Sequence, residues 1–320
     1  MTPQNNKKES ILAILTVIIL FAVVGFFLLE ISLINKRKTD ILKEKVAQAR
    51  LIAETQARLD SIVSRNINLL PITGKAYLSI VETEKGTRKI LGQKNASVPL
   101  PIASITKLMG AVVVLENMDL NADIKILPDD IGQEESYYVI QPDHVYKVGD
   151  LLTNALVASD NDSARVLARS MGTDRFIEKM NVKARELNLN HTHYVNVTGL
   201  DPVIEGMDLN VSTVEDLATL LLYIRKYEPR IFQITSQATA DFCDIYGACT
   251  EITSTDKLLG DTSINFKIIG GKTGSTDMAG KNLALINRVY DNIFLVNVIL
   301  GSGDSFADML LLINNIVIEK

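Results

Sequence analysis

A run of nineteen uncharged residues, Ile11–Leu29 (ILAILTVIILFAVVGFFLL), dominates the start of the chain. Wound as a helix at 1.5 Å per residue, it is long enough to cross a bilayer core of roughly 30 Å. A cleaved signal peptide would have a shorter apolar region followed by a small-x-small site. Here the sequence continues Glu30-Ile-Ser-Leu-Ile-Asn-Lys-Arg-Lys38, so residues 11–30 read as an uncleaved transmembrane anchor after a short tail, residues 1–10. From Asn35 to about Asn68 helix formers prevail, with Leu42, Val46, Ala49, Ala53 and Leu59 as a thin apolar stripe among charged and amide side chains. This predicts a helical stalk over residues 31–70, the alternative being a first helix packed on the C-terminal domain. Leu70-Pro-Ile-Thr-Gly74 breaks the pattern and opens that domain over residues 71–320.

Within that domain the period changes. Lys75–Glu82 and Arg88–Gln93 alternate as short strands joined by a Gly-containing turn, which reads as a hairpin. Helical periodicity returns at about 104–117, 149–157, 162–171, 174–187, 213–227 and 304–318. Strand-like runs recur near 264–272, 282–290 and 292–300. Strands at both ends enclosing a helical middle predict an α+β fold, an antiparallel sheet with a helical subdomain beside it.

Charge narrows the partners. The 320 residues carry a net charge of −5, but residues 31–65 hold a net +4 and residues 66–320 a net −9. An acidic domain without tryptophan repels a phosphate backbone, so nucleic acid is excluded as a partner. Lys36, Arg37 and Lys38 outnumber Lys7 and Lys8, and a count of positive charges alone would keep the C-terminal side cytoplasmic. That rule weakens for long translocated domains, so the chemistry has to decide sidedness.

The chemistry-bearing residues fall in three places. Ser104-Ile-Thr-Lys107 comes after the extended lead-in Pro99-Leu-Pro-Ile-Ala103 and opens a nearly all-apolar helix. One turn apart on a helix start, Ser104 and Lys107 share a face. A lysine held where burial and neighbouring cations disfavour its ammonium form can take the serine proton. An isolated S-x-x-K also fits a capping serine and a solvated lysine, and Ser254-Thr-Asp-Lys257 repeats the pattern. Ser159-Asp-Asn161 joins two apolar helices and could hold a hydroxyl and an amide over a cleft. Lys272-Thr-Gly274, with Ser275 next in the chain, ends a strand with glycines on either side, which lets another backbone approach the sheet edge. Its Gly-Lys-Thr is not a P-loop, because the required upstream glycine is missing and no apolar helix comes after it.

S-x-x-K, S-x-N and K-T-G in this order, with domain-scale gaps, form the motif trio of penicillin-binding proteins and class A β-lactamases. The chain resembles the low-molecular-mass penicillin-binding proteins that are serine D-alanyl-D-alanine carboxypeptidases, from about Ala76 to Ile318. Pro101–Met109, Leu156–Asp162, His193–Asp201, Ser212–Ala218 and Gly271–Gly280 carry the likeness. The resemblance implies a penicilloyl-serine transferase fold and a role for each motif residue. Ser104 attacks the penultimate D-Ala carbonyl of a peptidoglycan stem peptide with Lys107 as base, and Ser159 relays the proton to the leaving D-Ala. Asn161 and Lys272 order that relay, while Lys272 and Thr273 bind the terminal carboxylate. Gly274 admits the substrate backbone, and the N–H groups of Ser104 and Ser275 form the oxyanion hole. β-Lactams are implied as inhibitors and peptidoglycan as partner, so the domain is expected outside the cytoplasmic membrane. There a bridge between Cys243 and Cys249 is chemically permitted and expected.

Neither a metal nor a cofactor is expected, since His144, His191 and His193 show no metal-binding spacing. Two departures stand out. Asp160 replaces the usual glycine of S-G-N, and the family's frequent C-terminal β-domain and membrane helix are not expected, the anchor being expected at the N-terminal end. A class A-like β-lactamase, with Glu186-Leu-Asn-Leu-Asn190 as its E-x-x-L-N pattern, and a non-catalytic penicillin-sensing protein remain the rival readings.

Overall fold

The computed structural model describes every residue except 1–2, 65–66, 133–139, 205 and 320. It divides into two compact units, residues up to Arg58 and Leu59–Lys320. Nearly all of the first unit belongs to one continuous helix, α1 (Pro3–Ser61). Within it lies a segment of mean hydropathy 3.2 whose apolar side chains are exposed in the isolated chain, which by length and composition suits a bilayer span. The stalk was expected to stay helical to about residue 68. The helix instead ends at Ser61, because Leu59 and Ile62 are buried in the second unit and Ile62–Ser64 forms a strand, β1.

The second unit begins with β1 and the hairpin β2 (Ala76–Thr83) and β3 (Arg88–Lys94), then the short β4 (Leu100–Pro101) and α2 (Thr106–Asn117). Next come β5 (Asp123–Lys125), β6 (Val145–Lys147), α3 (Val148–Val157), α4 (Asn161–Met171) and α5 (Thr173–Glu186). β7 (Val211–Ser212), α6 (Val214–Tyr227) and α7 (Pro229–Thr235) precede a second hairpin, β8 (Thr239–Cys243) and β9 (Cys249–Thr253). The chain closes with β10 (Lys267–Thr276), β11 (Gly280–Tyr290), β12 (Ile293–Ser302), α8 (Ser305–Asn314) and β13 (Ile316–Ile318).

Five strands make one antiparallel sheet in the order β10-β11-β12-β2-β3. Alternation along β11 sends Ala284 and Ile286 into a core shared with α2, α3, α6 and α7, and Leu283 and Leu285 into a second core shared with α8. Both faces are covered, so β12 reads as a nearly unbroken apolar run, in keeping with the α+β fold expected. The carboxylate of Asp308 is buried in α8 and accepts four bonds, from Thr73 N (3.1 Å) and Oγ1 (2.9 Å), Gly74 N (2.9 Å) and Ser302 Oγ (2.6 Å). A buried carboxylate is tolerated only when its lone pairs are taken up in this way.

Two further differences have local causes. The helix expected over 304–318 stops at Asn314, and the β-branched Ile316-Val-Ile318 pairs with β1, a partner some 250 residues away that no local pattern reveals. Helix α7, with Pro229 in its first turn, went unforeseen because seven residues are too few to show a period. Cys243 and Cys249 are bridged across β8 and β9, with Cα atoms 4.1 Å apart.

Candidate active site

The turn that carries Ser104 is set by its lead-in. Pro101 ends β4, and Ala103–Ile105 wind as a 3-10 turn before α2 begins at Thr106. Ser104 was expected at the start of the α-helix; it lies in the 3-10 turn instead. Lys107 is still one turn on, its Nζ 2.8 Å from Ser104 Oγ. Lys107 is only 3% exposed, on a helix whose Leu108, Met109 and Val112 are fully buried. Its Nζ donates to Asn161 Oδ1 (2.6 Å) and to the carbonyl of Thr198 (3.4 Å). Three chain segments thus converge on one amine.

The second segment is the bend between α3 and α4. Ser159 adopts φ +61°, a left-handed conformation that turns the chain sharply enough to bring Asn161 over Lys107. Asp160, the departure from S-G-N, is the N-cap of α4, its carboxylate accepting Ser163 N at 2.6 Å. Burial pushes the Asp160 carboxyl above the usual range, against the hydrogen bonds from Ser163. The aspartate therefore acts on the helix that carries Asn161.

The third segment was not assigned a role from sequence. Asn196 Oδ1 accepts Thr198 N (3.1 Å) and Gly199 N (2.6 Å), and Asn210 Nδ2 spans Asn196 O and Thr106 Oγ1, both at 2.9 Å. This clamps the Thr198–Leu200 turn against the Ala103–Ile105 turn. Gly199 has φ +85°, and a Cβ there would sit 1.9 Å from the Ala103 carbonyl oxygen.

Lys272, Thr273 and Gly274 lie on β10, an edge strand of the large sheet. A Cβ on Gly274 would meet Ile102 O at 2.8 Å and Ser104 N at 3.1 Å, so the missing side chain lets β10 abut the turn that carries Ser104. Lys272 is 2% exposed, with its Nζ 3.3 Å from Thr273 O. Burial, reinforced by the charge of Lys107, holds its amine well below the ordinary lysine range, while Asp256 opposes the shift. Burial in turn pushes the Asp256 carboxyl up. Thr273 Oγ1 lies 2.5 Å from Thr255 Oγ1.

A cleft of about 840 Å³ opens over these groups. Ser104, Ser159, Asn161, Thr273, Gly274 and Ser275 line it, and the buried Lys107 and Lys272 lie directly behind that lining, Lys107 against Ser104 and Asn161 and Lys272 against Thr273. Thr255 and Lys257, from the second S-x-x-K, line it too, as do Lys281 and Asp304. Their contribution could have been seen in sequence only by knowing that the 254–258 loop folds back on β10.

The family described as D-alanyl-D-alanine carboxypeptidase (peptidase S11) matches residues 71–303. The chain belongs to this family. As a member it is a serine-type hydrolase of the D-alanyl-D-alanine carboxypeptidase class. It is 32% identical over 239 residues to a D-alanyl-D-alanine endopeptidase of Pseudomonas aeruginosa, covering 72% of this chain and 74% of the relative. It is 33% identical over 214 residues to a D-alanyl-D-alanine carboxypeptidase of Mycobacterium tuberculosis, covering 66% and 70%. In three dimensions it is similar to penicillin-binding protein D2 of Listeria monocytogenes with ampicillin bound, at TM-score 0.65, 28% identity and coverage of 77% of this chain and 98% of that one. Among the residues of this carboxypeptidase family member, Asp160 stays the departure from its usual S-G-N.

Proposed function

We propose that the protein is a membrane-anchored serine D-alanyl-D-alanine carboxypeptidase that removes the terminal D-Ala from peptidoglycan stem peptides through an acyl-enzyme on Ser104. The observation that carries this is the placement of Lys107 Nζ, which lies 2.8 Å from Ser104 Oγ while donating to Asn161 Oδ1 and Thr198 O. An amine that donates to those two oxygens can, when neutral, keep its lone pair for the serine hydroxyl. The hydroxyl proton passes to Lys107 as Oγ bonds to the penultimate D-Ala carbonyl carbon. The oxyanion is held by the N–H groups of Ser104 and Ser275, worth about 3–4 kcal/mol each. Ser159 relays that proton from Lys107 to the departing D-Ala nitrogen as the amide C–N bond breaks, and Thr273, with the buried Lys272 amine 3.5 Å behind its Oγ1, holds the terminal carboxylate. Water then hydrolyses the ester, and Ser104 regains its proton. β-Lactams acylate the same oxygen.

The rival β-lactamase reading requires a carboxylate that activates water at the cleft. Glu186 is instead half-exposed, bonded to Lys183 at 2.8 Å, with its carboxyl held below the usual range by that contact. It does not line the cleft. Free D-Ala is expected from a stem pentapeptide, with slow nitrocefin hydrolysis, and Glu186→Gln should leave both rates within twofold. Rapid nitrocefin turnover that collapses in Glu186→Gln, without D-Ala release, would favour the lactamase.

The substrate polymer lies outside the cytoplasmic membrane, so residues beyond about 36 are assigned to that side despite Lys36, Arg37 and Lys38. Protease added to intact spheroplasts should digest the domain. Protection until lysis would reverse the assigned topology.

A further inference from the structure

Two lysines of the cleft have no place in the chemistry above, and both project from rigid backbone. Lys281 is the cross-strand partner of Ser275, the residue next after Lys272-Thr-Gly274, so the two side chains share a face of the sheet. Lys257 sits between Asp256 and Leu258, which are buried, in a loop pinned by Asp256 N to Ser254 Oγ (3.1 Å), Leu258 N to Asp256 Oδ1 (3.0 Å) and the Thr255–Thr273 contact. Its Nζ stands 5.9 Å from the Phe306 ring. Both lysines are exposed, both line the cleft, and among the described residues neither has a carboxylate within 4.0 Å. Asp304 also lines the cleft there, with one oxygen capping α8 through Phe306 N (3.2 Å) and Ala307 N (3.3 Å). The annex is thus cationic on balance, in a region of the chain that is acidic overall.

We propose that Lys257 and Lys281 form a subsite for a second carboxylate of the substrate, carried by the side chain of the residue that precedes D-Ala-D-Ala. The inference rests on the carboxypeptidase reading. There the terminal carboxylate is held at Thr273, and a peptide extended along β10 passes Ser275 and therefore Lys281. The substrate class this selects is a stem peptide whose third side chain ends in a carboxylate, against one ending only in an amine. Ion pairs at partly exposed sites are individually weak, so the effect is a preference of about three- to tenfold, falling as salt rises.

Three acetylated peptides, acetyl-X-D-Ala-D-Ala with X as glutamate, glutamine or lysine, give the test, read as kcat/KM for D-Ala release by the full chain. The expected order is glutamate above glutamine above lysine, compressed at high ionic strength. Lys281→Glu should reverse the glutamate-to-lysine order, and the double variant Lys257→Gln with Lys281→Gln should bring the ratio to about one. Equal rates for the three peptides in the wild type, or an unchanged ratio in both variants, would overturn the subsite while leaving the carboxypeptidase reading intact. No D-Ala from any peptide would overturn that reading, and the subsite with it.

Discussion

Ser104→Ala should abolish covalent labelling by a tagged penicillin and lower D-Ala release by roughly 10⁴-fold or more, the scale at which loss of a catalytic serine is felt. The proposed acyl-enzyme needs an oxygen at this position, and the neighbouring Lys107 amine, buried behind Ser104, does not itself line the cleft. Stability should change little, since the serine lies in the cleft and the substitution leaves no cavity in the core. Lys107→Ala should cost a similar factor, and the double variant little more than either alone, because the pair acts as a unit. The measurements are mass spectrometry of the labelled protein and a D-Ala assay. Labelling that survives in Ser104→Ala, or that maps to Ser254, would remove the central assignment.

Gly199→Ala is the second large effect, at a residue outside the lining of the cleft. The new Cβ would lie 1.9 Å from Ala103 O, 2.3 Å from Ala103 C and 2.8 Å from Thr106 Oγ1, mostly backbone that cannot rotate away. The Thr198–Leu200 turn must then retreat from the Ala103–Ile105 turn, taking with it the carbonyl that accepts from Lys107. A displacement of about 1 Å at reacting groups can cost 10²-fold, so D-Ala release should fall by at least about that factor. The positive φ adds a strain of about 1–3 kcal/mol. Gly247→Ala is the control, since Gly247 has φ +87° with nothing within 4 Å, and should show the strain in its Tm without the loss of rate. Wild-type release by Gly199→Ala would show that this turn does not position the amine.

Legibility in the sequence tracked the range of the interactions. The β2–β3 hairpin, β10, β11 and β12 were readable because alternation and turn residues are local signals. The pairing of β13 with β1 was not, since its determinant is a partner at the far end of the unit. In the site, spacing alone predicted that Ser104 and Lys107 share a face, and their atoms do meet. The rest of the convergence is tertiary. Nothing local says that Asn161 and Thr198 reach the same amine, or that Thr255 lies against Thr273. The two S-x-x-K segments differ in surroundings rather than pattern, one opening a buried helix and the other lying in a loop after β9.

Ala103, which precedes the candidate nucleophile in the chain, and Ser159, which lines the same cleft, are non-glycine residues at φ +47° and +61°. Each conformation costs on the order of 1–3 kcal/mol and persists only because surrounding packing over-determines it. The fold has therefore already lost, during its own formation, the conformational entropy that alignment of a serine, an amine and an amide would otherwise demand at each encounter. An acylating agent meets a rigid template, and its association should be limited by the chemical step rather than by any rearrangement of the walls.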